Sequence, residues 1–343
     1  MKSNVLLVSS LPPSKCGVAK YAQEHLDVMR EEGLEVTTAS PETDSSADIH
    51  FGTLTLRGAF AWLAFCATHR FETVHVHYVD RFFFPMGNYG AMGRILLRSL
   101  QSLALRLLAC KSSTSFIVIH ELATRPNLGR TFFRWRDFGL SKFTEVQFHT
   151  PSMKEEFLAV CTSVSGERCT LVAHERFMRR KYCGTKESAR EQLLLPPKRC
   201  IFICLGFIQE SKGFDEVVAV FGKSGLGTGV ELHVVGSVQA NDPASARYAA
   251  DLEKACQNTP NCHFHGEFLS DEKFDCWLAA ADLLFLPYRG IVSSSVGARA
   301  ELYGCPIVTR SLANLSDQFP MARRFTDAGE LLQIMESHAL PDP

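Results

Sequence analysis

The sequence predicts an α/β protein built from two doubly wound, Rossmann-like domains. Short apolar runs alternate with amphipathic runs of helical spacing, a pattern typical of parallel strands that helices cover on both faces. The pattern starts again at Cys200, after a charged stretch that ends in "LPPKRC". The chain has 343 residues, which is long for a single hydrophobic core. We therefore expect two domains that face each other across a cleft.

The first predicted domain comprises residues 1–175. It begins with the strand Val5–Ser10, and the helix Gly17–Gly33 follows, with its apolar residues on one face and a glycine at its end. A second helical pattern covers about Ala91–Cys110. Further strands are predicted at Glu35–Ser40, Thr73–Val79, Ser115–Glu121, Thr144–Thr150 and Cys169–His174.

The second predicted domain comprises residues 176–320. Its strands are predicted at Cys200–Gly206, Val230–Gly236, Cys262–Glu267, Asp282–Tyr288 and Cys305–Ser311. Helices are predicted between them, at Phe214–Gly225, Ala244–Gln257, Ser270–Ala281 and Val296–Gly304. The tail, residues 321–343, contains one more helical pattern, which we expect to pack back on the N-terminal domain.

Composition limits the kind of protein. The chain has 36 basic and 37 acidic residues, so we expect no nucleic-acid partner and only a local anion site. No apolar run approaches the roughly 20 residues that cross a bilayer, and the start "MKSNVLLVSSLPP" is not a signal peptide. The 12 cysteines form no CxxC pair, and the histidines lack zinc-ligand spacing. These features favour a cytoplasmic protein with reduced thiols and no metal.

The loop "GFIQESKG" carries the first candidate for an anion site. Gly206 ends a buried strand, and Gly213 precedes a helix, so the backbone can turn sharply and approach a ligand. The Lys212 ammonium and the free N–H groups of a helix start together favour a phosphate. A solvated loop lysine beside a helix would give the same pattern.

Two further loops end at helix starts. Ser293–Ser295 precede a predicted helix, so the amides of Ser294–Val296 are candidates for binding a diphosphate, although simple helix capping explains the serines equally. In the first domain, "PPSKCGVAKYA" places Gly17 at a helix start, where its amide would lie across the cleft from the second domain. The alternative for Gly17 is an ordinary tight turn.

Among the histidines, His120 is the candidate for a role near the substrate. It ends a predicted strand, at the carboxyl edge where ligands of doubly wound sheets bind, and Glu121 follows it. His75 and His77 alternate along one strand and share a face. A lone histidine is more often structural, and we interpret His75 in that way.

Arginines are interleaved with aromatic and apolar residues in three segments. These are Arg81–Pro85, Arg130–Phe138 and the helix Gly93–Cys110. Such a composition is compatible with a peripheral contact to an anionic membrane surface. Aromatic residues that pack into the core beneath a solvated basic face explain it equally well.

Six motifs, in this order and spacing, resemble those of the family-4 glycosyltransferases. They are "CGVAKY" (Cys16–Tyr21), "GFIQESKG" (Gly206–Gly213), "LHVVG" (Leu232–Gly236), "GEFLSDE" (Gly266–Glu272), "AADLLFLP" (Ala280–Pro287) and "GCPIV" (Gly304–Val308). The resemblance covers most of the chain and is best in the second half. It implies the two-domain GT-B fold.

The resemblance also implies an activity. A hexose would pass, with retention of configuration, from a nucleotide-diphosphate donor such as a UDP- or GDP-sugar to a glycan or lipid-linked acceptor, without a metal or other cofactor. The second domain would bind the donor, and the first the acceptor. His120 and Lys212 would be catalytic, His120 beside the donor sugar and Lys212 on the diphosphate. The implied donor-binding residues are Gly17, Gly206, Lys212, Gly213, Phe268, Ser294, Ser295 and Val296, with Phe268 beside the nucleotide base.

Three positions depart from the family pattern. Phe207 stands where many members carry an arginine, and Ile291 and Arg299 stand at the positions of a glutamate pair. A serine-rich loop replaces that pair in some members, and "SSSVG" resembles this variant. Arg299 could still reach a phosphate and Glu301 a ribose, so both are included among the donor-binding candidates.

Two alternatives remain open from the sequence. The chain could be a catalytically weak or inactive GT-B scaffold that binds a nucleotide-sugar or a partner protein, which the missing glutamates favour. The other alternative is a nicotinamide-dependent dehydrogenase. The first loop "SSLPPSKCG", however, lacks the dinucleotide-binding motif GxGxxG and the acidic residue that follows it.

Overall fold

The computed structural model describes residues 4–14, 16–52, 55–84, 89–121, 130–238, 242–290 and 293–339, without the side chains of residues 81 and 130–133. The chain divides into two compact units, Met1–Met178 and Arg179–Pro343. This division lies three residues beyond the predicted boundary between residues 175 and 176.

The first unit contains a seven-stranded parallel sheet with the order β3-β2-β1-β4-β5-β6-β7. Its strands are β1 (Asn4–Val8), β2 (Glu35–Ser40), β3 (Ile49–His50), β4 (Thr73–Val79), β5 (Thr114–Glu121), β6 (Glu145–Phe148) and β7 (Cys169–Leu171). Most side chains of β1 and β5 are buried, as expected for strands covered on both faces.

The helices of the first unit begin where the sequence supplies caps. Cys16, Thr55 and Thr150 accept a hydrogen bond from an amide in the first turn of the helix that follows each of them. The described helices are α1 (Gly17–Glu31), α2 (Leu56–Thr68), α3 (Asp80–Phe83), α4 (Ala91–Lys111), α5 (Arg130–Leu140) and α6 (Pro151–Val160).

The second unit contains a six-stranded parallel sheet with the order β10-β9-β8-β11-β12-β13. Its strands are β8 (Cys200–Leu205), β9 (Val230–Val235), β10 (Cys262–His265), β11 (Leu283–Leu286), β12 (Ile307–Arg310) and β13 (Arg323–Phe325). Its helices are α7 (Lys186–Gln192), α8 (Phe214–Phe221), α9 (Pro243–Gln257), α10 (Asp271–Ala280), α11 (Ser295–Leu302), α12 (Ala313–Gln318) and α13 (Ala328–Ala339).

The C-terminal helix α13 belongs to the second unit, and its expected packing on the first domain stays a prediction. It packs against α8 and β13. Leu331 and Met335 are fully buried in the hydrophobic core of the second unit. Burying these two side chains holds the helix on its own unit, because removing apolar area from water is stabilising.

Two further observations concern the cysteines and the possibility of a membrane-spanning helix. All 12 cysteines are free, and Cys110 and Cys183 are the exposed ones. Among the described residues, no helix is long and apolar enough to cross a bilayer.

Candidate functional site

The strand order of the second unit creates a place where two loops diverge. β8 and β11 are neighbours, but the chain continues from β8 toward β9 on one side and from β11 toward β12 on the other. The loops after these two strands therefore separate at the carboxyl edge of the sheet. Such a topological switch point is where doubly wound sheets bind their ligands.

The loop after β8 approaches its neighbours closely through glycines. Gly206 has φ +128° and Gly213 has φ +68°, conformations that favour glycine. A Cβ at Gly213 would overlap the carbonyl oxygen of Pro287, and one at Gly236 would overlap that of Gly206. Larger residues at these positions would push the loop out of its path across the ends of β8, β9 and β11.

Lys212 lies in this loop with its ammonium over an aromatic ring. Its Nζ is 3.8 Å from the ring centroid of Tyr288, which is fully buried. Burial lowers the pKa of Lys212 to about 8. Within the described part of the chain, no carboxylate forms an ion pair with this ammonium. A partly desolvated cation without a carboxylate partner is suited to binding an anion.

The start of α11 supplies backbone donors beside this loop. Ser294 caps the helix by accepting from the amide of Gly297 at 3.2 Å, and the first intrahelical bond is donated by Ala298. Among the described residues, the amides of Ser295 and Val296 have no acceptor, as expected at a helix start. The side chain of Val296 lies beside Gly206, so the two loops are adjacent.

One predicted donor at this helix is already occupied. The amide of Ser294 donates to Oε1 of Gln318 at 2.8 Å, and Nε2 of Gln318 donates to the carbonyl of Ser294 at 3.0 Å. The diphosphate contact that the sequence predicted for the Ser294 amide is therefore replaced by a side-chain amide from α12. The predicted contacts of Ser295 and Val296 remain geometrically open.

The start of α8 is also more occupied than the sequence predicted. The amide of Asp215 donates to the hydroxyl of Tyr248 at 3.1 Å, and that of Glu216 donates to the carbonyl of Gly213 at 3.1 Å. Both residues add negative charge to the first turn. The anion site therefore depends on Lys212 and on α11 rather than on free amides of α8.

Arg289 joins the two loops. Its amide donates to the carbonyl of Ser211 at 2.9 Å, and its guanidinium donates to the carbonyl of Glu210 at 2.8 Å. The guanidinium also pairs with the carboxylate of Asp215 at 2.6 Å. These bonds fix the loop after β8 relative to the loop after β11.

Arg299 and Glu301 do not lie at the candidate site as predicted. Arg299 is 7% exposed and pairs with both carboxylate oxygens of Asp275 at 3.1 Å. Glu301 is exposed near the end of α11, roughly 9 Å along the helix from Ser295 at about 1.5 Å per residue. Arg299 is held by a buried carboxylate of α10, which explains its orientation. Ile291, the other departing position, lies outside the described residues.

Phe268 follows the edge strand β10. Its ring is 45% exposed, and its neighbour Leu269 is buried in the core. β10 is two strands from β8, so its end lies roughly 10 Å across the same carboxyl edge, at about 4.8 Å per strand. An exposed ring at this distance is suited to stacking on a base.

The first unit has its own switch point, between β1 and β4. Gly17 is exposed at the first position of α1. This is the helix start at which the sequence predicted its contact with a diphosphate. The carboxylate of Glu42, which follows β2, reaches the loop before α1 and accepts there from Ser10 and Ser14 at 2.5 and 3.1 Å. The Cys16 sulfur caps the helix by accepting from the amide of Ala19 at 3.4 Å.

Four histidines of the first unit form a continuous hydrogen-bonded chain. His25 Nδ1 is 3.1 Å from His77 Nε2, and His77 Nδ1 is 3.0 Å from His120 Nε2. His120 Nδ1 is 3.3 Å from His149 Nε2, and His149 Nδ1 is 3.2 Å from the carbonyl oxygen of Val172. A carbonyl only accepts, so His149 donates through Nδ1. In a chain of neutral rings, each of the others then also donates through Nδ1.

This chain engages both ring nitrogens of His120, which is 9% exposed. The contact with a sugar hydroxyl that the sequence predicted for His120 therefore requires the bond to His77 or to His149 to open. His75, interpreted as structural, has no hydrogen-bond partner at its buried Nδ1 and stacks on Phe116.

Burial keeps these histidines neutral. It lowers the pKa of His25 to about 2 and that of His149 to about 4. It also lowers the pKa of His77, His120 and His174 well below the usual 6.5. We call the six rings on this side of the sheet the histidine face: His25, His75, His77, His120, His149 and His174.

Sequence reasoning missed the residues that support the site in the second unit. Tyr288 is the last residue of the predicted strand "DLLFLPY" and Arg289 follows it, so their position at a carboxyl edge was readable. Gln318 lies in α12 and reaches Ser294 through the tertiary fold. No local pattern indicates that contact.

The comparisons with known proteins identify the fold. No family model and no curated protein sequence matches the chain. Among solved structures, sucrose-phosphate synthase from Thermosynechococcus elongatus is 15% identical with a TM-score of 0.71, covering 98% of this chain and 89% of that one. Anabaena HepE in complex with UDP-glucose is 12% identical with a TM-score of 0.70, covering 98% and 89%.

The catalytic domain of Arabidopsis thaliana starch synthase IV, bound to ADP and acarbose, is 10% identical with a TM-score of 0.68 and covers 100% of this chain and 93% of that one. At such low identity the likeness concerns the fold. The chain has the fold of the GT-B glycosyltransferases, as the sequence predicted. Its assignment to family 4 stays a prediction.

Proposed function

We propose that the protein transfers a hexose from a nucleotide-diphosphate donor to a glycan or lipid-linked acceptor with retention of configuration. The observation that carries the proposal is the group of donors at the β8/β11 switch point. The Lys212 ammonium and the amides of Ser295 and Val296 have no protein anion as partner among the described residues. Retention and the acceptor class rest on the sequence resemblance to family-4 enzymes.

These donors act on the charge that develops in the reaction. As the bond between sugar and diphosphate breaks, negative charge grows on the leaving diphosphate. A fixed ammonium and two oriented amides stabilise that charge without having to reorganise. Gly206 and Gly213 allow the phosphates to approach the backbone, and the Phe268 ring stacks on the base.

The structural neighbours support a nucleotide-sugar as donor. HepE was solved in complex with UDP-glucose, and starch synthase IV with ADP. The roles predicted for Gly17 and His120 stay predictions. Gly17 is exposed at the start of α1, and both ring nitrogens of His120 are hydrogen-bonded to other histidines.

Nucleotide binding is tested by a thermal-shift screen with UDP, GDP and ADP. A ligand that binds only the folded protein raises the melting temperature as its concentration increases. We expect one of the three to do so, and Lys212→Met to reduce the shift by weakening binding about tenfold or more, the loss of one charge-assisted contact. Lys223→Met, which removes an exposed lysine of the same unit, is the matched control. Equal shifts in both variants would contradict the site.

Transfer is tested by following release of nucleotide diphosphate from UDP-, GDP- and ADP-sugars, with and without glycan acceptors. The alternative is a scaffold that binds the nucleotide but does not turn it over. The ion pair of Arg299 with Asp275 favours it, since neither side chain is then available to the donor. Binding without release of product from any sugar would select the scaffold.

The surface of α4 supports a lipid-linked acceptor. Met92, Ile95 and Leu96 are 80%, 48% and 42% exposed and lie on one side of the first turns of α4. Phe60 of α2, which packs against α4, is 52% exposed. Arg57, also exposed, adds positive charge nearby. An apolar surface with basic residues beside it is suited to the face of an anionic membrane.

This membrane contact is tested by flotation with vesicles that contain anionic lipid. We expect the protein to bind them and Ile95→Ser to reduce binding severalfold. Met321→Ser is the control, because Met321 is 93% exposed in the second unit. Binding that is equal in both variants would contradict a membrane role for α4. Of the other basic segments, Pro85 and the side chains of Arg81 and residues 130–133 lie outside the described residues.

A further inference from the structure

Strands β9 and β10 carry a cluster of polar side chains on one face. Glu231 and His233 are two residues apart in β9 and point to the same face. His263 of the edge strand β10 pairs with His233 in the register. One ligand atom from each of these three residues lies within 4.8 Å of the other two. Glu231 and His233 are buried, and His263 is exposed.

We propose that Glu231, His233 and His263 bind a divalent transition metal ion, for which Zn²⁺ is the best match. Two imidazoles and one carboxylate are a zinc ligand set that leaves a fourth position open to solvent. His233 Nε2 and Glu231 Oε2 are 3.1 Å apart. Tetrahedral zinc with bonds of about 2 Å places its ligands roughly 3.3 Å apart, so these two atoms need little movement.

Outer partners for this site are already in place. His233 Nδ1 is 3.1 Å from His265 Nε2, and Arg199 pairs with the second carboxylate oxygen of Glu231 at 2.5 Å. Zinc ligands usually require such second hydrogen bonds, which fix their orientation. Through these bonds His265 orients the imidazole of His233, and Arg199 orients the carboxylate of Glu231.

The ring protons can rearrange without net loss when the metal binds. In the free protein the carboxylate of Glu231 accepts, so His233 carries its proton on Nε2, and its Nδ1 accepts from His265. The metal takes the lone pair of Nε2, so the proton of His233 moves to Nδ1 and is donated to His265 Nε2. The ring proton of His265 then moves from Nε2 to Nδ1.

The cluster lies away from the proposed donor site. Glu231 aligns with Ile201 near the start of β8, and Val235 aligns with Leu205 at its end. Glu231 is therefore roughly 13 Å from the carboxyl edge, at about 3.3 Å per residue. A metal there would join β9 to the edge strand and stabilise that pairing. His263 is exposed on the edge strand β10, which gives an ion access.

Metal binding is tested on the full chain by dialysis against Zn²⁺ and measurement of the retained metal. We expect the wild-type protein to retain zinc in stoichiometric amount and to melt at a higher temperature with it. His263→Ala is expected to lose this zinc and keep its fold, since His263 is exposed. The matched control is His69→Ala, which removes an exposed histidine of the first unit and is expected to retain zinc.

Two further measurements make the test specific. His265→Ala removes an outer partner and is expected to weaken zinc binding about 10- to 100-fold. Ring ¹⁵N shifts are expected to show the proton of His233 on Nε2 without metal and on Nδ1 with it. Failure of the wild-type protein to retain zinc, or retention by His263→Ala equal to that of the control, would overturn the proposal.

Discussion

The switch points of the two units have the same strand order and different chemistry. β1 lies between β2 and β4, and β8 lies between β9 and β11, so two loops diverge at the carboxyl edge of each sheet. In the second unit this edge carries a lysine and two amides for which the described residues supply no carboxylate partner and no acceptor, respectively. In the first unit the nearby sheet surface carries neutral, hydrogen-bonded imidazoles, and the carboxylate of Glu42, which follows β2, accepts from Ser10 and Ser14 beside the first loop.

The comparison shows that topology decides where loops meet, and the side chains decide what they bind. A desolvated ammonium attracts an anion. A chain of neutral rings whose nitrogens satisfy one another offers no net charge. We therefore expect an anion to bind at the second unit and not at the histidine face of the first unit.

The largest effect should come from acid acting on the histidine face. Unfolded histidine titrates near pH 6.5, and burial lowers the pKa of His75 and His149 to about 4. Stability is therefore fully present above about pH 6.5 and is lost as the pH falls toward about 4. Each of these two rings contributes up to about 3 kcal/mol over that range. Peptide-resolved hydrogen exchange should show the first unit opening first.

One variant checks this origin of the acid sensitivity. His75 stacks on Phe116 and has no partner at Nδ1. Arg176 further lowers the pKa of His75 and Glu145 opposes that effect. His75→Phe removes one titrating ring and should flatten the acid loss of stability. His69→Phe, at an exposed site, should leave it unchanged, and a slope unaffected by His75→Phe would contradict the explanation.

The next largest effect should come from Arg299. Arg299→Met leaves the buried Asp275 without its cation, which should lower the free energy of unfolding of the second unit by about 3–5 kcal/mol. Urea denaturation measures this loss. The double variant Arg299→Met with Asp275→Leu should recover part of it. A fully stable Arg299→Met protein that fails to bind nucleotide would instead restore Arg299 to the donor site.

Gly213→Ala should have an intermediate effect. Its φ of +68° strains an alanine by about 1–3 kcal/mol, and the Cβ would overlap the carbonyl oxygen of Pro287. Both stability and nucleotide affinity should therefore decrease. Gly290→Ala is the control in the neighbouring loop, where a Cβ meets no atom within 4 Å. Calorimetric titration with the nucleotide that the screen selects should separate the two variants.

The smallest effect should be the pH dependence of nucleotide affinity. The pKa of Lys212 is lowered to about 8, so the ammonium is charged below that pH and loses its proton above it. Bound phosphate raises this pKa again. Affinity should therefore fall about tenfold, or about 1.4 kcal/mol, as the pH rises from 7 to 9. Titrations with Lys212→Met should show no such decrease, and a decrease of equal size there would assign it to another group.

Most strands of both sheets were predicted from the sequence, whereas the short outer strands β3 and β13 were not. β2 and β4 coincide with the predicted Glu35–Ser40 and Thr73–Val79, because buried parallel strands are short continuous runs of β-branched residues. The loop Gly206–Gly213 was also predicted from the sequence, since its glycines follow a predicted strand. The helix α2 was not predicted: its segment Leu56–Thr68 is apolar on more than one side, with Phe60 exposed and Trp62 buried.

Long-range contacts were beyond sequence reasoning. The pairing of Arg299 with Asp275 joins α11 to α10, and Gln318 reaches Ser294 from α12. The cluster of Glu231, His233 and His263 escaped a search for zinc spacing because its ligands come from two strands. In each case the residues are separated in the sequence by a distance that no periodic pattern predicts. Only the fold brings the groups together.

Arg289 has a consequence for the kinetics of ligand association. Its two bonds to the loop Gly206–Gly213 and its ion pair with Asp215 of α8 form without any ligand, so the loop does not have to be ordered when a nucleotide arrives. Association should then be limited by diffusion and by electrostatic attraction to the Lys212 charge. Its rate constant should be high and should decrease with increasing ionic strength.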